Sequence, residues 1–182
     1  MGTSRTSGFT LVEMLAVIAV TAILIGASAP SMKALMDSVK LSAASNNLLG
    51  ALLMARSEAT KRGGRGVVCK SADGVSCALA GGWEQGWIVF HDANNNGARE
   101  SGEAILRHEQ ALSSSLRVTG NLNVARYVSY APSGGTRLVG GGFQAGTITV
   151  CNQSAQSGEA RQIILSSSGR PRVSRTTVGV CA

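Results

Sequence analysis

The chain has 182 residues, 15% of them charged, with 23 glycines and a net charge of +7. That length bounds one modest core, and so much glycine with so little charge suits short strands and tight turns better than a helical bundle. The charge is unevenly placed: residues 31–103 hold eight bases against seven acids, whereas residues 104–182 hold eight arginines against Glu109 and Glu159 alone. Arginine is the side chain best suited to forked contact with phosphate, and the alternative is a solvated basic face that aids solubility.

The first element predicted is a helix. A short polar stretch with Arg5 leads into an apolar run from Phe9 to Ala29, interrupted by Thr10, Glu13, Thr21, Gly26 and Ser28. As a helix, 21 residues at 1.5 Å each cover about 31 Å, the thickness of a hydrocarbon core. The run is too long for an ordinary secretory signal and no A-x-A site closes it, so it is expected to be retained as an anchor. Glu13 is anomalous there, because a carboxylate inside such a segment normally requires a partner. From Ser31 to Arg62 the pattern stays helical and turns amphipathic, with Met32, Leu35, Met36 and Val39, then Leu48, Leu49, Leu52, Leu53 and Met54, at three- and four-residue steps. Lys61, Arg62 and then Gly63-Gly64 end it.

Beyond Gly64 come short β-rich runs: GVVCKS, GWIVFHD, AILRHE, SLRVTG, ARYVSYAP, TITVC, RQIILSS and PRVSR, separated by Gly-, Asn- and Ser-rich turns. One long helix followed by seven or eight antiparallel strands predicts an α+β domain. Four cysteines lie at 69, 77, 151 and 181 without a CxxC pair, and His91 and His108 complete no zinc spacing. Disulfides in an oxidising compartment are expected. Of the three connectivities, proximity favours Cys69–Cys77 with Cys151–Cys181, which would close a loop around the late basic segment.

Two stretches are candidates for chemistry. Asp92, Asn94, Asn96, Gly97 and Glu103 satisfy the D-x-[DN]-x-[DN]-G-x5-E calcium pattern. The flanking runs are strand-like rather than helical, however, so the stretch reads first as a long hairpin turn and second as a metal loop, with no other metal and no cofactor expected. Neither histidine stands in a recognisable triad order, and no P-loop or dinucleotide fingerprint occurs, so an enzyme is not expected. The other stretch is SSSGRPRV. Pro171 fixes φ between Arg170 and Arg172, and in an extended chain those two side chains point the same way about 6.6 Å apart, the spacing for bridging successive phosphates. Arg175 and Arg161 would extend the stripe. With few aromatics nearby, contact with a nucleic-acid backbone irrespective of sequence fits better than base stacking. The alternative is a basic edge strand guarded against aggregation.

The segment GFTLVEMLAVIAVTAIL resembles the class III signal of type IV pilins and type II secretion pseudopilins. The resemblance implies a leader over residues 1–8 cut after Gly8 by a prepilin peptidase, N-methylation of Phe9, and pairing of Glu13 with the terminal amine of a neighbouring subunit. It divides the remainder into a transmembrane and assembly helix over 9–29, an amphipathic half over 30–62 and a globular domain over 63–182: the pilin fold, a long helix packed on an antiparallel sheet. The runs VCKSADGVSC, WEQGWIVFHDANNNG, GEAILR and ARQIILSSSGRPRV are similar to the GspH/FimT family of minor pilins. FimT-type members carry a C-terminal G-R-x-R motif implicated in binding incoming DNA during natural transformation, and Gly169, Arg170, Pro171 and Arg172 match it. The resemblance implies a single-pass inner-membrane protein with a periplasmic domain, later part of a surface pilus, with other pilins, the peptidase and DNA as partners. A structural minor pilin or secretion pseudopilin that primes assembly without touching DNA is the second reading, and a calcium-stabilised adhesin the third.

Overall fold

The computed structural model describes residues 8–153 and 157–181, leaving aside the side chains of 27–31. The expected leader, apart from Gly8, therefore lies outside the described residues. Helix α1 runs from Leu11 to Arg62, and the chain divides into two compact units, one reaching to Ser38 and one starting at Val39.

In the first unit every described side chain from Gly8 to Gly26 is exposed, including Phe9, Leu15, Ile18 and Ile25. Among the described residues no helix is long and apolar enough to cross a membrane. Thr10 and Glu13 start α1. The Thr10 amide and hydroxyl donate to the Glu13 carboxylate at 2.9 and 3.0 Å, while the Glu13 amide donates back to the Thr10 hydroxyl at 3.3 Å. This is a capping box, which satisfies amides that a helix N-terminus otherwise leaves open.

The amphipathic reading of the helix holds in part, for of the large side chains that carried it Leu48 and Leu52 are buried. Met32, Leu35, Met36 and Val39 are exposed, as are Leu53 and Met54; the buried stripe is Leu41, Ala44, Leu48, Ala51, Leu52, Ala55 and Ala59. Steps of three and four are kept, but four of the seven positions are alanine. Such small side chains let sheet and helix backbones come close, and a search for large apolar residues does not register them.

All eight predicted runs form strands: β1 (Arg65–Lys70), β2 (Trp87–Asp92), β3 (Ile105–Glu109), β4 (Leu116–Gly120), β5 (Tyr127–Tyr130), β6 (Gly146–Asn152), β7 (Gly158–Leu165) and β8 (Pro171–Val178). They divide into two four-stranded sheets, ordered β3-β2-β1-β5 and β4-β6-β7-β8, with every pairing antiparallel. One apolar cluster joins the alanine-rich stripe to both sheets through Trp83, Trp87, Val128, Tyr130, Ile148 and Ile163; a smaller one, Val67, Cys69, Ile88 and Phe90, covers the other face of the first sheet. Gln144, fully buried, ties the turns together. Its carbonyl accepts from the Ser129 amide at 2.9 Å, and its amide donates to the carbonyls of Asn123 and Tyr127 at 2.8 and 2.9 Å. Both disulfides join the pairs that proximity favours, Cys69–Cys77 and Cys151–Cys181.

Candidate functional site

The basic segment lies at the turn from β7 into β8, the edge strand of the second sheet. The Gly169 amide closes the turn on the Ser166 carbonyl at 2.9 Å. Gly169 sits at φ 75°, and a Cβ there would run into the Gly134 carbonyl oxygen, so only glycine suits the position. That carbonyl is itself held by Arg56 of α1, whose Nε donates to it at 3.0 Å. The Thr136 hydroxyl reaches the Ser166 carbonyl at 3.0 Å. A helix arginine and a neighbouring turn thus fix the backbone from which Arg170 and Arg172 project.

Pro171 is buried where β8 begins, whereas Arg170 and Arg172 are exposed. With Ile164, Ser166, Ser168 and Pro171 they line an open groove of about 510 Å³. Arg172 lies opposite Ile164 in the ladder, and the neighbours Ile163 and Leu165 face the core, so the groove is on the face turned away from α1. The Ser166 and Ser168 hydroxyls share a hydrogen bond of 2.7 Å. Among the described residues neither guanidinium has a hydrogen-bond or ion-pair partner, and no acid lines the groove. Two unpartnered guanidiniums beside two hydroxyls supply hydrogen-bond donors of the kind that a phosphate accepts.

The predicted stripe does not continue as one surface. Arg161 is 2% exposed; its guanidinium meets the Glu159 carboxylate at 2.7 Å and the Ser42 hydroxyl of α1 at 3.3 Å. Its place on β7 keeps it in step with Ile163 and Leu165 on the core face. Arg175, its ladder partner, is exposed and shares that face, lining a cleft of about 330 Å³ with Ser42, Ser45, Asn46, Arg161 and Val173. The Cys151–Cys181 bond closes the chain around this whole region, from β6 past β8.

The 92–103 stretch is a turn joining β2 to β3. Buried Asp92 accepts from the amides of Asn96 at 3.1 Å and Gly97 at 2.8 Å. Glu103 accepts from Ala93 and Glu100 at 2.8 and 3.1 Å, while the Asn94 and Asn96 amides donate to Glu100. Asn95 and Gly97 take φ of 62° and 74°. The carboxylates that a calcium loop would turn inward are spent on their own backbone, as in Asx turns. His91 lies on β2 against Gly64, and His108 on β3 against Gly74, in separate places.

The family profile for "Type II transport protein GspH" matches residues 44–169, and that for the "Prokaryotic N-terminal methylation motif" matches residues 3–29. No curated protein sequence matches the chain. Among solved structures, the type IV minor pilin FimU of Pseudomonas aeruginosa is similar over 81% of this chain and 99% of its own, at 18% identity and a TM-score of 0.59. The minor pseudopilin EpsH from the type 2 secretion system of Vibrio cholerae is similar over 74% and 95%, at 14% identity and a TM-score of 0.50. Both likenesses are of fold: a long N-terminal helix with antiparallel sheets.

Proposed function

The chain belongs to the GspH family and has the pilin fold, and from that premise we propose that it is a minor type IV pilin that binds DNA through Arg170 and Arg172. The observation that carries the reading is the groove at the start of β8, with two exposed, unpartnered arginines on a backbone held by Gly169, Gly134 and Arg56. The backbone holds the guanidiniums near their contact positions in advance, which lowers the ordering cost of binding.

The N-terminal steps belong to the same proposal. The match to the methylation motif supports cleavage between Gly8 and Phe9 by a prepilin peptidase and methylation of Phe9. The apolar segment over 9–29 then anchors the subunit in the inner membrane, with residues 63–182 on the periplasmic side, until it joins other pilins in the fibre. Glu13, which caps its own helix through Thr10, exchanges that contact for the terminal amine of a neighbour.

The test is DNA binding by the full chain, purified in detergent with its disulfides intact, using labelled duplexes of unrelated sequence at two salt concentrations. Sequence-blind binding is expected. Arg170→Ala with Arg172→Ala should weaken it at least tenfold and flatten the slope of log affinity against log salt by about 1.8, the value for two phosphates. A subunit that primes assembly and contacts only other subunits gives instead no binding at low salt, or binding indifferent to the double substitution.

A further inference from the structure

An exposed aromatic ring stands near the arginine groove, carried there by the hairpin between β5 and β6. Arg137 and Phe143 face each other across that hairpin, and its tip closes where the Leu138 amide donates to the Gly142 carbonyl at 2.8 Å. The Arg137 guanidinium lies 4.1 Å over the Phe143 ring, yet Phe143 is 63% exposed, so one face of the ring is covered and the other is open. The Thr136 hydroxyl ties the hairpin to the turn before β8. It donates to the backbone carbonyl of Gln144 at 2.5 Å and reaches that of Ser166 at 3.0 Å, and Ser166 lines the groove with Arg170 and Arg172. Phe143 also shares the groove's side of the sheet. Gln144 is buried while Phe143 and Ala145 are exposed, and the alternation runs on into β6, where Ile148 faces the core. Thr147, on the opposite face, pairs with Ile164 and through it with Arg172. Two strand spacings separate β8 from β6, and three residues separate Phe143 from the start of β6, each about 10 Å. No acid occurs between Glu109 and Glu159 or after Glu159.

We infer that an unpaired nucleobase stacks on the open face of Phe143 while phosphates of the same strand lie along Arg170 and Arg172. Every base has a π-face, so such stacking adds affinity without reading sequence. Inside a duplex those faces are taken up by neighbouring bases, and only an unpaired stretch has one to offer. The separation of ring and groove falls well within the roughly 4–16 nucleotides that a single-strand-binding fold engages. The Arg137 guanidinium beneath the ring adds positive charge to the same path. The inference rests on the DNA reading and adds to it a preferred form, the single strand, and a contact that carries no charge.

The experiment compares a single strand, an abasic strand and a blunt duplex of the same length, using the full chain in detergent. The proteins are wild type, Phe143→Ala, Phe143→Trp and the Arg170→Ala/Arg172→Ala double variant. Phe143→Ala should weaken single-strand binding about tenfold, in keeping with the loss of one stacked base, and leave its salt slope unchanged, since no charge is removed. Its affinities for the abasic strand and the duplex should equal those of wild type, which also shows that the arginine surface is intact. Phe143→Trp should hold the single strand at least as tightly as wild type, as a larger ring requires and a merely structural role would not. The double variant should weaken all three ligands and lower the single-strand salt slope by about 1.4, the value for two phosphates. If wild type binds and the double variant is impaired, but Phe143→Ala leaves single-strand affinity unchanged or weakens all three ligands alike, the stacking contact is wrong while the DNA reading survives. Wild type binding none of the three overturns both.

Discussion

Gly169→Ala tests whether the turn bearing the arginines is held as rigidly as its contacts imply. The substitution meets two separate penalties. At φ 75° a residue with a Cβ costs roughly 1–2 kcal/mol relative to its relaxed conformation. The new methyl also runs into the Gly134 carbonyl, a backbone atom fixed by Arg56 that cannot swing aside, and forced overpacking adds typically about 1–3 kcal/mol. Destabilisation of roughly 2–5 kcal/mol follows, a large share of the roughly 5–15 kcal/mol that a folded domain has. Gly134→Ala separates the two terms, because it shares a positive φ of 77° but meets chiefly the Arg56 side chain, so strain alone should cost roughly 1–2 kcal/mol. Gly102→Ala is the control, with open space around its Cβ and an expected change within about 0.5 kcal/mol. Urea unfolding followed by fluorescence of Trp83 and Trp87, both fully buried, reads the series. An effect of Gly169→Ala no larger than that of Gly134→Ala would refute the close-contact argument.

The two disulfides close loops of different size, with sequence separations of 8 for Cys69–Cys77 and 30 for Cys151–Cys181. On the chain-entropy account, replacing the longer pair by serine should cost roughly 3–4 kcal/mol and the shorter roughly 2–3; equilibrium unfolding of the two double variants would expose a reversed order. The Asp73 carboxyl is held far below its usual 3.8 by hydrogen bonds from the Ser76 hydroxyl, then the Ser76 and Val75 amides and Ser71. A depressed folded-state pKa contributes stability above the unfolded value that is lost as pH falls through and below it. The stability gap between wild type and Asp73→Asn should therefore be constant at neutral pH and close below about pH 4. A gap as wide at pH 2 as at neutral pH would contradict this.

The strands were legible because each is a short apolar run bounded by glycine, asparagine or serine, and turn chemistry marks boundaries well. Their division into two sheets was not, since pairing partners such as β4 and β6 are separated by β5 and carry no local mark of it. The helix face was read only in part: Leu48 and Leu52 were legible, whereas Ala44, Ala51, Ala55 and Ala59 are inconspicuous in an apolar pattern, yet they too are positions where the helix meets the rest of its unit. The capping box was readable as T-L-V-E, a Thr followed three residues on by Glu; the resemblance drew attention instead to a role for Glu13 between subunits. That Arg170 and Arg172 lie exposed along one groove was legible because proline and glycine fix their local geometry. Arg161 was not: its exposure depends on Glu159 and on Ser42, 119 residues away, and composition cannot register that pairing.

The fixing of β8 at both ends has a mechanical consequence. A load applied at Arg170 or Arg172 enters the strand where Gly169 abuts Gly134. To detach the strand, that load must then break eight residue pairings between β7 and β8 in turn. Beyond the last of them the chain reaches Cys181, covalently joined to β6. An edge strand of this kind can yield by partial peeling but cannot be pulled free. Tension is passed into the middle of the sheet, and pairing can re-form when the load is released.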